Sequence, residues 1–333
     1  MKRWLPRLSG EPRLERPTME SKQTVLIALG GNVLIREKEQ GTIEQQERHA
    51  EEVCRDIFSV LHKGYNVVIT HGNGPQAGAS LIRYEMASAM LPVMPLDVCV
   101  ADNEGEMGYI LQQALLNELR RNELRRFVVT MITQVIVDSK DPAFDKPTKP
   151  IGPFFSRTEA RSLEKERKWI MIEDAGRGWR RVVPSPRPTR IIQRDMIRLL
   201  AHEGHIVIAC GGGGIPITKK DNNDYVGIEA VVDKDRASAL LAEDIGAEMF
   251  IILTRVPKVS LNFGKPDQRD LDSITVAEAE RYLAEGHFAP GSMRPKIESC
   301  IEFIRKGGRS AIITDSEHME QALEGTHGTI ITA

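Results

Sequence analysis

A chain of 333 residues, 41% hydrophobic and 28% charged, has the length and composition of one large α/β domain or two smaller ones, with enough apolar side chains for a sizeable core. A formal net charge of −2 and 5% aromatic residues argue against a nucleic-acid-binding surface. No apolar run approaches the ~20 residues of a membrane span. The four cysteines, Cys54, Cys99, Cys210 and Cys300, lack CxxC or metal-ligand spacing, which disfavours a structural zinc site and suits free buried thiols in a reducing cytoplasm.

Residues 1–23 are polar, basic and proline-containing, without the apolar segment of a secretory signal. They read as a disordered extension ahead of one ordered domain over 24–333. The apolar run 24–29 predicts a buried strand that ends in Gly30-Gly31-Asn32. A helix follows over 41–62, then a second strand over 66–70 that stops at His71 and enters Gly72-Asn73-Gly74-Pro75. Helical patterns over 77–90 and 104–121 precede a β-branched run, 127–137, that predicts a third strand. Strand, helix, strand, helix, strand is the signature of a parallel sheet covered on both faces.

The rhythm breaks over 141–188, where prolines and basic residues surround a charged helical piece (158–168) and a short strand (169–172). This stretch reads as a small lid protruding from the main sheet. The α/β alternation then resumes. Helices are predicted over 193–202, 234–246, 275–285, 295–306 and 316–323, and strands over 205–210, 249–254, 309–314 and 329–331. The strand at 205–210 runs into Gly211, Gly212, Gly213 and Gly214.

Three strand ends that open into glycine turns predict one site for a polyanion at the C-terminal edge of the sheet, where backbone N–H groups can approach phosphate oxygens. None of the turns fits G-x-x-x-x-G-K-[ST] or a dinucleotide fingerprint, and no G-x-S-x-G elbow occurs. His71 is the obvious histidine candidate, but beside glycines it reads as a group that positions the backbone. Three lysines stand apart because Gly, Pro or Asp brackets each: Lys149 between prolines, Lys234 between Asp233 and Asp235 at a helix start, and Lys296 after Gly291 and Pro295.

Taken together, the segments at 28–32, 69–76 (ITHGNGPQ), 141–144, 147–154 (PTKPIGPF), 180–186, 211–216, 229–235 and 286–293 (GHFAPGSM) resemble carbamate kinase, of the amino-acid kinase superfamily, in the family's order from about Thr24 to Ile331. The resemblance implies a three-layer α/β/α sandwich with a mainly parallel sheet and a protruding subdomain over 141–188. It implies a homodimer, magnesium, and reversible phosphoryl transfer between ATP and carbamate, in a catabolic setting such as arginine breakdown. By the same resemblance Gly30, Gly31 and Asn32, with Gly72, Asn73 and Gly74, cradle the phosphoryl and carbamate. Lys149 and Lys234 stabilise the transferring charge, Asp235 and Asp233 orient the lysines, Lys296 reaches the nucleotide, and Gly211, Gly212 and Gly213 lie along its phosphates. The sequence departs from the pattern at Arg255 and Pro257, in a loop that lines the superfamily's nucleotide site. Two alternatives stay open: another acyl-phosphate-forming amino-acid kinase, and a non-catalytic binder of carbamoyl phosphate or nucleotide.

Overall fold

A computed structural model describes residues 22–333 except 32, 37, 38, 175 and 290, so all but two residues of the extension lie outside it. The domain begins with β1 (Thr24–Leu29), α1 (Ile43–His62), β2 (Asn66–His71), α2 (Gly74–Met86) and α3 (Leu96–Arg121). Next come β3 (Val128–Thr130), β4 (Gln134–Val137), β5 (Lys149–Phe155), α4 (Arg157–Arg167), β6 (Met171–Glu173), β7 (Trp179–Val183), β8 (Pro188–Ile191) and α5 (Arg194–His202). After β9 (Ile206–Ile208), a single 3-10 turn at Gly211–Gly213 leads to β10 (Ile215–Lys219), β11 (Tyr225–Gly227), α6 (Lys234–Asp244) and β12 (Met249–Leu253). The chain closes with β13 (Val259–Leu261), β14 (Arg269–Leu271), β15 (Ser273–Thr275), α7 (Val276–Ala284), α8 (Met293–Arg305), β16 (Ser310–Thr314), α9 (Met319–Leu323) and β17 (Thr329–Thr332).

Eight strands form the main sheet in the order β15-β17-β16-β12-β1-β2-β9-β3. Every pair in it is parallel except β16 with β17. Its central strands are continuous apolar runs because both faces are covered. Leu26, Ala28, Val68, Phe250 and Ile252 share one core with Ile197, Leu241, Ile297 and Ile301 of α5, α6 and α8. Their alternates Val25, Ile27, Leu29, Val67, Ile69 and Ile251 pack with Val53, Ile57, Met107 and Leu111 of α1 and α3. The result is the three-layer α/β/α sandwich. At the start of α1 the Thr42 hydroxyl accepts from the Gln45 N–H, and the Gln45 side chain accepts from the Thr42 N–H. Losing such a cap costs ~1 kcal/mol.

The run 127–137 is not one strand. β3 joins the main sheet, while β4 joins a four-stranded sheet ordered β11-β10-β4-β8. Thr133 makes the break: its hydroxyl donates back to the Met131 carbonyl and its N–H donates to the Glu104 carboxylate, so its amide is lost to both ladders, while its carbonyl already accepts from the Ile215 N–H of β10. Helix α3 starts eight residues before the expected 104, because buried Asn103, Cys99 and Leu96 pack inward despite the low helix propensity of Asp, Asn and Gly around them. The protruding region carries its own antiparallel sheet, β5-β7-β6, with α4. It sits on α2 where Gly78 meets Gly152, and a Cβ on Gly78 would lie 2.1 Å from the Gly152 Cα and N.

Backbone against backbone cannot yield, so Gly78→Ala should pry this small sheet off α2. We expect unfolding free energy to fall by about 1–3 kcal/mol, read as a lower denaturant midpoint at unchanged slope, and faster proteolysis within 149–183. An unchanged midpoint and digestion pattern would show that the contact is not needed.

Candidate active site

Because β1, β2 and β9 run parallel, their C-terminal ends share one edge of the sheet, and each leads into glycines. The first two turns touch. The Gly72 N–H donates to the Leu29 carbonyl at 3.1 Å, and a Cβ on Gly72 would stand 2.8 Å from the Gly31 Cα. Glycine is required here by closeness, not by backbone angle. Gly30 lies under the next strand, where a Cβ would be 3.2 Å from the Leu253 carbonyl oxygen. Arg255 and Pro257 follow that strand on the exposed surface. Helix α2 starts at Gly74 with Pro75 in its first turn and no side-chain cap from Asn73, which leaves N–H groups and the positive helix end for an anion. Asn32 lies outside the described residues.

The third turn has a different part. Gly212, Gly213 and Gly214 have φ of 65°, 95° and 85°, which favour glycine. A Cβ on Gly212 would be 2.2 Å from the Asn73 amide, and one on Gly211 would be 2.6 Å from the His71 ring. The N–H groups of Gly213 and Gly214 donate to the carbonyls of Cys210 and Gly211, both at 3.0 Å. The Gly213 and Gly214 donors are used within the turn, and the run packs against His71 and Asn73 of the second turn.

Over these turns lies a group of paired charges. Asp233 caps α6, accepting from the N–H groups of Asp235 and Arg236 at 3.0 and 3.3 Å, and its other oxygen accepts from Lys149 Nζ at 2.6 Å. Asp235 takes Lys296 Nζ on Oδ2 and faces Lys234 Nζ with Oδ1, both at 2.8 Å. Lys234 Nζ also donates to the Ala28 carbonyl at 3.3 Å, and its Cγ would stand 3.6 Å from a Cβ on Gly72. The start of α6 is fixed onto β2: the Thr70 and Ser238 hydroxyls are 2.6 Å apart, and Ser238 donates to the Lys234 carbonyl at 2.6 Å.

Burial drives the titration of this group. It pushes Lys234 down from an ordinary 10.5 to about 8, with Asp235 opposing the fall. Burial also raises Asp235, but Lys234 and Lys296 outweigh it and hold the carboxyl well below the usual carboxylate range. Burial lowers Lys296, but Asp235 and Asp233 together raise it above its ordinary value, so it stays a firm cation. His71 is pushed down to about 4 by burial, with Lys234 adding to the fall, so the ring is neutral at pH 7. With Nδ1 3.4 Å from the Gly72 carbonyl oxygen, it shapes the turn.

Two residues without an assigned role join this arrangement. Glu104 is buried against Gly211, accepts from the Thr133 N–H at 2.8 Å, and is held well above the usual carboxylate range by that burial. Arg180, part of the 180–186 segment, donates to the Gly152 carbonyl at 3.1 Å and reaches within 4.0 Å of a Cβ on Gly74. Nothing in the local sequence marks Glu104, which sits mid-helix. Both carboxylates among the lysines face ammonium groups, so these residues do not form a carboxylate cage for magnesium.

Glycine turns facing lysines across a parallel sheet edge define a phosphoryl-handling α/β protein. A sequence model of the amino acid kinase family matches residues 23–315, and the chain belongs to that family. It is 46% identical to the carbamate kinase of Pyrococcus horikoshii over 312 residues, 93% of this chain and 99% of the relative. Over 313 residues it is 46% identical to a carbamate kinase-like protein of Escherichia coli, again 93% and 99% of the two chains. Carbamate kinase from Giardia lamblia bound to citric acid superposes with a TM-score of 0.90 at 41% identity, covering 94% of this chain and 99% of that one. The same enzyme bound to AMP-PNP gives 0.86 at 42% identity, with the same coverage. Along nearly its whole length the chain is similar to carbamate kinases.

If Lys234 acts as a cation, kcat/KM should fall as pH rises through about 8. Folding has a related signature, since between about 8 and 10.5 the folded state holds fewer protons than the unfolded and this burial opposes folding less as pH rises. Asp235→Asn removes the charge that keeps Lys234 protonated and should move the basic limb of the rate profile to lower pH. A limb that stays in place would dissociate Lys234 from the rate.

Proposed function

We propose that the protein is a carbamate kinase that transfers a phosphoryl group reversibly between ATP and carbamate and runs towards ATP. The observation that carries the reading is the half-buried Lys149–Asp233 pair beside the Lys234–Asp235–Lys296 group, with Lys234 and Asp235 buried, set over the Gly31–Gly72 contact. Carbamate is already an oxyanion, so its attack on the γ-phosphorus needs no strong base. The neutral, buried His71 suits that requirement. The P–O bond to ADP breaks as the bond to carbamate forms. The remaining task is to position two anions and neutralise charge on the transferring oxygens.

In this reading Gly31, Gly72, Asn73 and Gly74 hold the carbamate and phosphoryl from below, with Gly30 and Asn32 completing the cradle. Lys149 and Lys234 bind the transferring oxygens, Asp233 and Asp235 aim them, and Lys296 meets the nucleotide phosphates. Gly211, Gly212 and Gly213 lie along the nucleotide phosphates and back the cradle through His71 and Asn73. Magnesium would travel with the nucleotide's phosphates, consistent with an ion that keeps its waters and binds through phosphate.

The working form is a cytoplasmic homodimer in this proposal. The exposed apolar stretch between α2 and α3, with Met86, Met90, Leu91 and Val93, supplies surface that a second copy would cover. Among the described residues no helix is long and apolar enough to cross a membrane. Sedimentation at micromolar concentration should report a dimer, and a monomer would contradict this part of the proposal.

Mixing the protein with carbamoyl phosphate and magnesium ADP should yield ATP in a luciferase assay. Lys149→Ala should lower kcat by about 10²–10³-fold, the loss expected when one group stabilising transition-state charge is removed. Gly72→Val should abolish transfer while circular dichroism stays unchanged, because the side chain fills the contact with Gly31. Turnover of an amino-acid carboxylate but not carbamate would overturn the reading in favour of another acyl-phosphate kinase.

A further inference from the structure

Away from the lysine group, a second set of donors converges at the same edge of the main sheet. Asp315 follows β16, His318 immediately precedes α9, and His327 lies in the loop before β17; all three are half-buried. Asp315 Oδ1 is 2.7 Å from His318 Nδ1 and accepts from the His318 N–H at 3.1 Å. The imidazoles of His318 and His327 stack with centroids 3.9 Å apart and planes 16° apart. One donor atom from each of the three residues lies within 4.8 Å of the others.

A helix-start contact accounts for Asp315 and His318 alone, but it leaves two observations over. His327 Nε2 is buried without a hydrogen-bond partner, and so is Thr314 Oγ1, next to Asp315. Each buried polar atom without a partner asks for an account, and a bound ion is one that fits donors so grouped. The two segments are also pinned together. β16 and β17 pair with Ile313 opposite Thr329, and a Cβ on Gly328 would be 3.1 Å from the Thr314 Cβ. The backbone therefore presents His327 to Asp315 and His318 without a long loop to order.

We propose that Asp315, His318 and His327 form a binding site for a first-row divalent transition-metal ion, best suited to Zn2+. Two imidazoles with one carboxylate favour such ions over magnesium or calcium. Zinc at about 2.0–2.1 Å from each donor in tetrahedral geometry sets donor separations of roughly 3.4 Å. The Asp315–His318 pair, now 2.7 Å apart, therefore opens while His327 moves in, and one imidazole turns out of the stack so that both lone pairs converge, movements within the range of side-chain rotation. Three protein ligands leave a fourth position for water. Cys54, Cys99, Cys210 and Cys300 are all buried and do not compete for the ion. Occupancy ties the β16–α9 turn to the loop before β17, so the metal stabilises this corner by mass action.

The test uses the untagged full chain after chelator stripping and dialysis. Co2+ titration followed by its visible absorption, and Zn2+ titration against a fluorescent chelator, should each give one equivalent bound per chain. His327→Ala and His318→Ala should each weaken Zn2+ by about 10-fold or more and cancel the rise in thermal midpoint that Zn2+ gives the parent. His202→Ala, on the exposed end of α5, should change nothing. Circular dichroism verifies folding, and the milder His327→Gln serves if the alanine variant fails it. Absence of stoichiometric binding, or equal Zn2+ affinity in the parent and both folded histidine variants, would overturn the site.

Discussion

The arrangement depends on one buried carboxylate held between two lysines. Asp235 and Lys234 lie in an interior where an isolated charge is costly, and Lys296 reaches in from its margin. None of the three could stay ionised alone, and together they can. Removing one partner from such a buried group costs ~3–5 kcal/mol, because it strands the rest. With Lys149 and Asp233 beside them, the group carries three ammonium charges against two carboxylates. One positive charge is left in excess, facing glycine turns where an anionic phosphoryl can come close. The function proposed for the protein follows from that imbalance.

The fold's contribution is to make this costly arrangement reproducible. α6 is set by Asp233 at its start and by the Thr70–Ser238 contact to β2, so Lys234 arrives over Gly72 by construction. Lys149 comes from the protruding sheet, whose seat on α2 is the Gly78–Gly152 contact. Two lysines of the cationic group thus rest on helices of the main sheet and one on an appendage. Movement of the appendage would separate Lys149 from Asp233 without disturbing Lys234.

Much of this was legible in the sequence, for identifiable reasons. The strands that build the main sheet are continuous apolar runs, so β1, β2 and β12 declare themselves. Lys149, Lys234 and Lys296 stand out because Pro, Asp and Gly bracket them. The rest depends on contacts between distant segments. Thr133 divides the run 127–137 between two sheets through a bond to Glu104, twenty-nine residues away. Glu104 carries no local mark of its burial. Gly211, Gly212 and Gly213 resemble an anion turn in sequence, and their packing against His71 and Asn73 has no local mark. Asp315, His318 and His327 lack metal-ligand spacing, because a loop brings the last of them back beside β16.

The most direct measurement is the proton equilibrium of Lys234 itself, followed by NMR of its side-chain nitrogen, with the Lys234→Arg variant used to assign the signal. An ammonium buried over the glycine turns and kept charged by Asp235 should titrate near pH 8, well below a surface lysine. Titration near 10.4, together with the exposed lysines, would show that Lys234 is not held in a desolvated carboxylate clamp and would contradict the account.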